Sequence, residues 1–295
     1  MGVFILLAVE FAGIFSSVFI IFVNVQSWMK GQKMSSRDQI IIALSFSDMV
    51  FSAVNAAIVL GSAFVPQLLS VDYIYYGLYD LMTYSICSNS WLSACLGALF
   101  FVKTTNFNIG FLAQLKMRIE MVMPWVTSGV EVFSFIIALV QPSASAEVYG
   151  ENSTLPLITN ETSEVIGYET DVLNDVSFLL KACLTPFMIV TVTTAHINIS
   201  LCKHTQQNMD SGGPTLKVHR RAASTMTSLL ILNTVFYVLQ MWLGFLQTSD
   251  PLYRIGITLV CSFSLVQSII LILGIGRLKK TFIQIITMCR RKALS

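Results

Sequence analysis

Residues 3–25 read Val3-Phe4-Ile5-Leu6-Leu7-Ala8-Val9-Glu10-Phe11-Ala12-Gly13-Ile14-Phe15-Ser16-Ser17-Val18-Phe19-Ile20-Ile21-Phe22-Val23-Asn24-Val25, with Glu10 the one ionisable side chain among them. Roughly 20 apolar residues at about 1.5 Å each cross the about 30 Å of hydrocarbon in a bilayer, so this run is long enough for one membrane helix. It has no basic leader and no small-residue cleavage pattern, and is expected to be an uncleaved signal-anchor. Comparable runs recur near 39–65, 80–103, 121–140, 177–200, 225–247 and 252–275. Of the 295 residues 55% are apolar and 12% charged; a soluble domain carries about twice that charged fraction. The expected fold is an all-α membrane protein, a seven-transmembrane-helix bundle over residues 1–276 with a short amphipathic, basic cytoplasmic tail at 277–295.

Charge sets the expected orientation. Of the 18 Lys and Arg, all but Lys181 and Arg254 fall in the odd-numbered connections, at their helix ends or in the tail. The positive-inside bias puts those connections and the carboxyl terminus in the cytoplasm and the amino terminus outside, as in a multi-pass plasma-membrane protein. The connection 141–176 holds seven acids and no Lys or Arg, and carries two glycosylation sequons, at Asn152 and Asn160. A third sequon, at Asn198, falls at the inner end of span five and is expected to be silent. In the tail, Leu278, Phe282, Ile285, Ile286 and Cys289 recur at helical spacing among Lys279, Lys280, Arg290, Arg291 and Lys292. That pattern predicts an amphipathic helix on the anionic inner leaflet, so the lipid bilayer is itself a partner.

No HExxH, GxSxG, GxGxxG, Walker or CxxC pattern occurs, and the expectation is neither an enzyme nor a protein with a cofactor, a metal or a nucleic-acid partner. The six cysteines, in spans or at the cytoplasmic border, read as small buried hydrophobes rather than a disulfide framework. Seven spans without matched broken halves weigh against a secondary transporter. Buried ionisable groups are the informative ones, at about 2.5–3.5 kcal/mol each near mid-bilayer. Asp48 lies near the midplane of span two, with Asn55 on the same face; it is either a polar switch in the bundle, protonated or cation-bound, or a static hydrogen-bonded group. Glu131, midway along span four, is expected to have a structural partner, while Glu10 and Lys103 are placed within reach of water at opposite faces. Tyr79, Met82, Thr83 and Ile86 share one stripe in the outer half of span three, a spacing that ordinary helix packing also gives.

The cytoplasmic end of span three reads Trp91-Leu92-Ser93-Ala94-Cys95-Leu96, then Phe100-Phe101-Val102-Lys103-Thr104-Thr105-Asn106-Phe107, with Phe111-Leu112 and Leu115-Lys116-Met117-Arg118 following. This resembles the vertebrate bitter taste receptors (type 2 taste receptors), with their WLATCL…FYFLKIANF…FLxLKxR stretch. Weaker matches lie in order around it: Asn24 with Trp28, Lys33 to Asp38, Leu201-Cys202-Lys203-His204, Lys217-Val218-His219, and Ser268 to Gly274 followed by Leu278-Lys279. The family's polar residues depart here. Its span-one Asn stands as Ser17, its span-two Arg as Asp48, its His before Ser268 as Gln267, and its Asn after Gly274 as Ile275. The intramembrane polar network is therefore expected to be Ser17, Asp48, Gln267 and Ser268, with a reversed charge at Asp48 that is expected to face the bundle near Ser17 and Ser268.

The resemblance implies a G-protein-coupled chemosensory receptor, most closely one for bitter compounds, entered from outside between spans three, five, six and seven. The family's span-three aromatic falls at Met82 and its pocket Asn at Ile86. Its span-six aromatic aligns with Phe236, with Gln240 one turn outward, and three turns back from Ser268 lies Ile257. The implied ligand site is Tyr79, Met82, Thr83, Ile86, Phe236, Gln240 and Ile257. The implied partner inside is a heterotrimeric G protein of the transducin/gustducin type, facing Lys103, Arg118, Lys203, His204, Lys217, His219, Arg220 and Arg221. The alternative from a different class is a small transporter or channel subunit using Asp48 and Glu131 as ion sites.

Overall fold

The structure, a computed structural model, describes residues 2–65, 67, 72–104, 110–152, 182–199, 214–244, 246 and 251–293. Among them are α1 (Gly2–Met29), α2 (Ser36–Phe64), α3 (Asp72–Thr104), α4 (Gly110–Asn152), α5 (Ala182–Ile199), α6 (Pro214–Gly244), α7 (Pro251–Cys261), α8 (Phe263–Gly274) and α9 (Gly276–Ala293). Seven spans are long and apolar enough to cross a membrane, the seventh made of α7 and α8 in series. The described residues contain no strand. The protein is a multi-pass, all-helical membrane protein.

Local chemistry explains the breaks. Gly31 turns the chain between α1 and α2 at φ 81°, a left-handed conformation that costs a residue without Cβ little. Ser35 caps α2, its hydroxyl accepting from the Asp38 amide at 3.3 Å, and Asp38 places a negative charge in the first turn. Between α7 and α8 the ladder runs on through Ser262, whose amide bonds Thr258 O and whose carbonyl accepts from Val266. At Ile275 the backbone turns extended, with φ −101° and ψ 114°, which separates α8 from α9. Two expectations are corrected here. α4 continues to Asn152, so the outer connection begins as helix rather than at residue 141 as loop. Glu10 does not reach water: it is 0% exposed, turned inward against Ser52 and Cys261.

The bundle is polar inside and apolar outside. Ser17, Ser45, Ser47, Ser52, Ser88 and Ser264 are wholly buried, while Phe4, Phe15, Phe22, Trp125, Ile136, Val192 and Val238 stand exposed. Water gives no reason for that arrangement; hydrocarbon around the bundle does, since polar groups there must find partners among themselves. α3 is the central helix, packed against α2, α4 and α6. The inner half of the core is aliphatic, built from Ile20, Ile40, Leu44, Leu92, Leu96, Leu99, Met226, Leu271 and Leu278. A second cluster fills the outer half, and it is largely aromatic.

Candidate functional site

Three of the seven sequence-predicted ligand residues, Met82, Ile86 and Phe236, meet in the outer cluster. Phe236 on α6 stacks edge-on against Phe51 of α2 at 5.9 Å and lies 4.2 Å from the ring of Phe263 on α8. Ile86 of α3 is buried in the same cluster and Met82 packs on it. Phe51, Ser85, Ile86, Asn89, Ser90, Asn233, Phe236, Tyr237 and Phe263 enclose a cavity of about 10 Å³, the room of a single water. Ser90 and Tyr237 close one wall by a hydroxyl–hydroxyl bond between α3 and α6. Thr83 is buried on α3, and Tyr79, Gln240 and Ile257 are half-buried on their helices; none of these four lines the cavity. The lining residues the sequence reading missed are Phe51, Ser85, Asn89, Ser90, Asn233, Tyr237 and Phe263. Asn89 and Ser90 had a signal, since they continue the span-three stripe from Ile86 at i+3 and i+4.

Beneath the cavity lies the polar network. Asn89 donates to Asp48 Oδ1 at 2.6 Å and accepts from Gln267 Nε2 at 3.2 Å, joining α2, α3 and α8. Ser264 donates to the Asp48 carbonyl at 3.1 Å, and Ser47 to the Ser85 carbonyl at 2.8 Å. Asp48 faces inward, 1% exposed, as expected. Its side-chain partner is Asn89, while Ser17 and Ser268 bond each other at 3.1 Å on the α1–α8 seam. Glu131 has the structural partners foreseen for it, accepting from Tyr84 Oη at 2.6 Å and Ser88 Oγ at 3.0 Å.

At the opposite end of the bundle, beside the start of α9, a larger inner cavity of about 370 Å³ opens among α2, α3, α6, α8 and α9. Ile41, Leu96, Phe100, Met226 and Leu271 form its apolar floor, and Arg37, Arg221 and Arg277 its basic walls. Arg277 pairs with Asp38 at 3.2 Å and bonds Asn24 Oδ1, tying the start of α9 to α1 and α2. Of the cations expected to face a partner, Arg221 lines this cavity and Arg118 is exposed on α4. Lys103 is engaged by Glu120, whose Oε2 also accepts from the Ser36 hydroxyl at 2.7 Å. Lys217, His219 and Arg220 lie on α6; Lys203, His204 and Asn160 fall outside the described residues, and Asn152 ends α4.

A profile of the taste receptor protein (TAS2R) family matches residues 1–290. This chain belongs to the TAS2R family. It is 26% identical over 288 residues to taste receptor type 2 member 8 of Gorilla gorilla gorilla, covering 95% of this chain and 93% of that one. Over 294 residues it is 26% identical to taste receptor type 2 member 46 of Homo sapiens, covering 96% and 92%. Taste receptor type 2 member 14 of Pongo pygmaeus is 27% identical over 297 residues, covering 95% and 89%. The family is one of receptors, not enzymes.

Proposed function

We propose that this chain is a receptor for small bitter compounds arriving from outside the cell, and that it activates a heterotrimeric G protein of the transducin/gustducin type. The observation that supports this reading most is the position of Asn89, which borders the outer cavity and holds both Asp48 and Gln267. A compound lodged against Ile86, Asn89 and Phe236 bears directly on the network joining α2, α3 and α8. If it fits better when the helices stand apart, it shifts the population toward that state. A drug-sized ligand needs about 300–1,000 Å³, so agonist entry has to open the aromatic cluster. On the inner side, Arg37 and Arg221 present positive charge around an apolar floor, a surface that would steer an acidic partner electrostatically. The transporter alternative has no support from membership of a receptor family, and Glu131 is already held by Tyr84 and Ser88.

No ionised side chain lines the outer cavity, so neutral or weakly polar agonists should be favoured. Alanine at Thr83, Phe236 or Gln240 is expected to weaken an agonist found by screening bitter compounds by roughly 1–3 kcal/mol each. Dose–response curves at matched surface expression check this. Wild-type responses from all three variants would place the ligand elsewhere.

We further propose that the amino terminus is outside and that α9 lies along the inner leaflet, with Ile283, Ile285, Ile286 and Met288 exposed beside Lys279, Lys280 and Arg290. Glycans are expected on Asn152 and Asn160 and not on Asn198, whose amide donates to Thr227 Oγ1 at 2.9 Å inside the bundle. A glycosidase-sensitive mass shift that persists after loss of both Asn152 and Asn160 would reverse the orientation.

A further inference from the structure

The polar network has more acceptors than donors. Asp48 Oδ1 is satisfied by Asn89, but Oδ2, equally buried, receives no hydrogen bond. Gln267 gives one amide N–H to Asn89 and sets the same amide group against the Asp48 carboxyl, while its own Oε1 receives nothing. One helical turn outward on α2, the Ser52 hydroxyl stands against the buried Glu10 carboxyl of α1, and Asp48, Gln267 and Ser52 are all at most 1% exposed. Ser52 stands against Gly13 of α1, where a Cβ would come within 2.8 Å of its Oγ, so α1 seals the group from lipid.

No cation of the protein answers this excess. Among the described residues the ion pairs are Arg37 and Arg277 with Asp38 and Lys103 with Glu120, all at the cytoplasmic end. A carboxylate oxygen, an amide carbonyl and a hydroxyl are hard donors that select hard cations over soft ones. Among the three ligands Asp48 supplies the one carboxylate, which balances one positive charge; a divalent ion would leave charge uncompensated in a low-dielectric interior. The neighbouring space beside Asn89 is about 10 Å³, which suits an ion no larger than a water molecule. We propose that Asp48, Gln267 and Ser52 form a binding site for a monovalent cation of the size of sodium. Such an ion would tie α2 to α8 through the Asp48 and Gln267 oxygens that receive no hydrogen bond, and would stabilise the arrangement in which Asn89 holds both helices.

The site is tested without agonist, so its failure is separate from any failure of the ligand reading. The purified receptor in detergent is unfolded thermally in equimolar sodium, potassium or choline chloride. Sodium is expected to raise the midpoint by several degrees over choline, as a ligand bound to the native state alone does, and by more than potassium does. Asp48→Asn, which keeps the bond to Asn89, is expected to abolish the difference, while Glu131→Gln, at a buried carboxyl outside the site, keeps it. If Asp48→Asn yields no folded receptor, Ser52→Ala carries the test and is expected to shrink the shift. Equal midpoints in the three salts for the wild type, or an undiminished sodium shift in Asp48→Asn or Ser52→Ala, would overturn the site.

Discussion

Gly274→Val is expected to remove most of the receptor from the cell surface. A Cβ at this position meets Oγ1, Cγ2 and Cβ of Thr225 on α6 closer than side chains tolerate. Thr225 is poorly able to give way. It is β-branched, 9% exposed, and its hydroxyl is bonded to the Arg221 carbonyl at 2.9 Å. The contact is where α8 ends and the backbone turns extended at Ile275, so α8 cannot slide without moving the wall of the inner cavity. Overpacking of this kind costs about 1–3 kcal/mol, a large share of a net stability of about 5–15 kcal/mol. Thr225→Ala removes two of the three opposing atoms and is expected to restore part of the expression in the double variant. Surface labelling of the two single variants and the double decides it; wild-type expression of Gly274→Val would mean that α6 and α8 are not in contact there.

Asn89→Leu is expected to be comparably damaging, for an electrostatic reason. Asn89 donates to the Asp48 side chain at 2.6 Å and is the acceptor for Gln267. Leucine of similar volume leaves a carboxyl and an amide buried together with their main partner gone. Breaking one side of such a buried pair costs about 2–5 kcal/mol. Removing both sides should cost less than removing one, so Asn89→Leu combined with Asp48→Leu is expected to be more stable than Asn89→Leu alone. Thermal unfolding of the purified variants measures the coupling directly. Strictly additive losses would show that Asn89 and Asp48 do not act as a pair.

Hydropathy made the spans legible because length and apolarity are properties of a segment by itself. Which face of each span turns inward is a property of two segments, and there the reading was partial. Asp48 could be placed inside because lipid offers a carboxyl nothing, yet its partner was sought at Ser17 and Ser268 rather than at Asn89. Glu10, an ionisable side chain in an apolar span, reads as reaching water, yet the packing of α1 against α2 and α7 buries it. Phe51 and Phe263 carry no periodic mark that separates a pocket aromatic from a lipid-facing one such as Phe15, and they became visible only where three helices converge. The inner cavity draws Arg37, Arg221 and Arg277 from positions far apart in sequence. As a sum of charges they carry the positive-inside expectation, but no local pattern joins them.

The central claim is that a small compound entering the outer side of this bundle activates a G protein on the inner side. The most direct measurement is agonist-dependent nucleotide exchange on a purified heterotrimer of the transducin/gustducin type, mixed with the purified receptor in lipid nanodiscs. The receptor is predicted to accelerate exchange with a bitter agonist and to lose that acceleration in Phe236→Ala at equal receptor concentration. Exchange that no compound accelerates, from a receptor shown by direct binding to hold the same compound in its outer half, would contradict the claim.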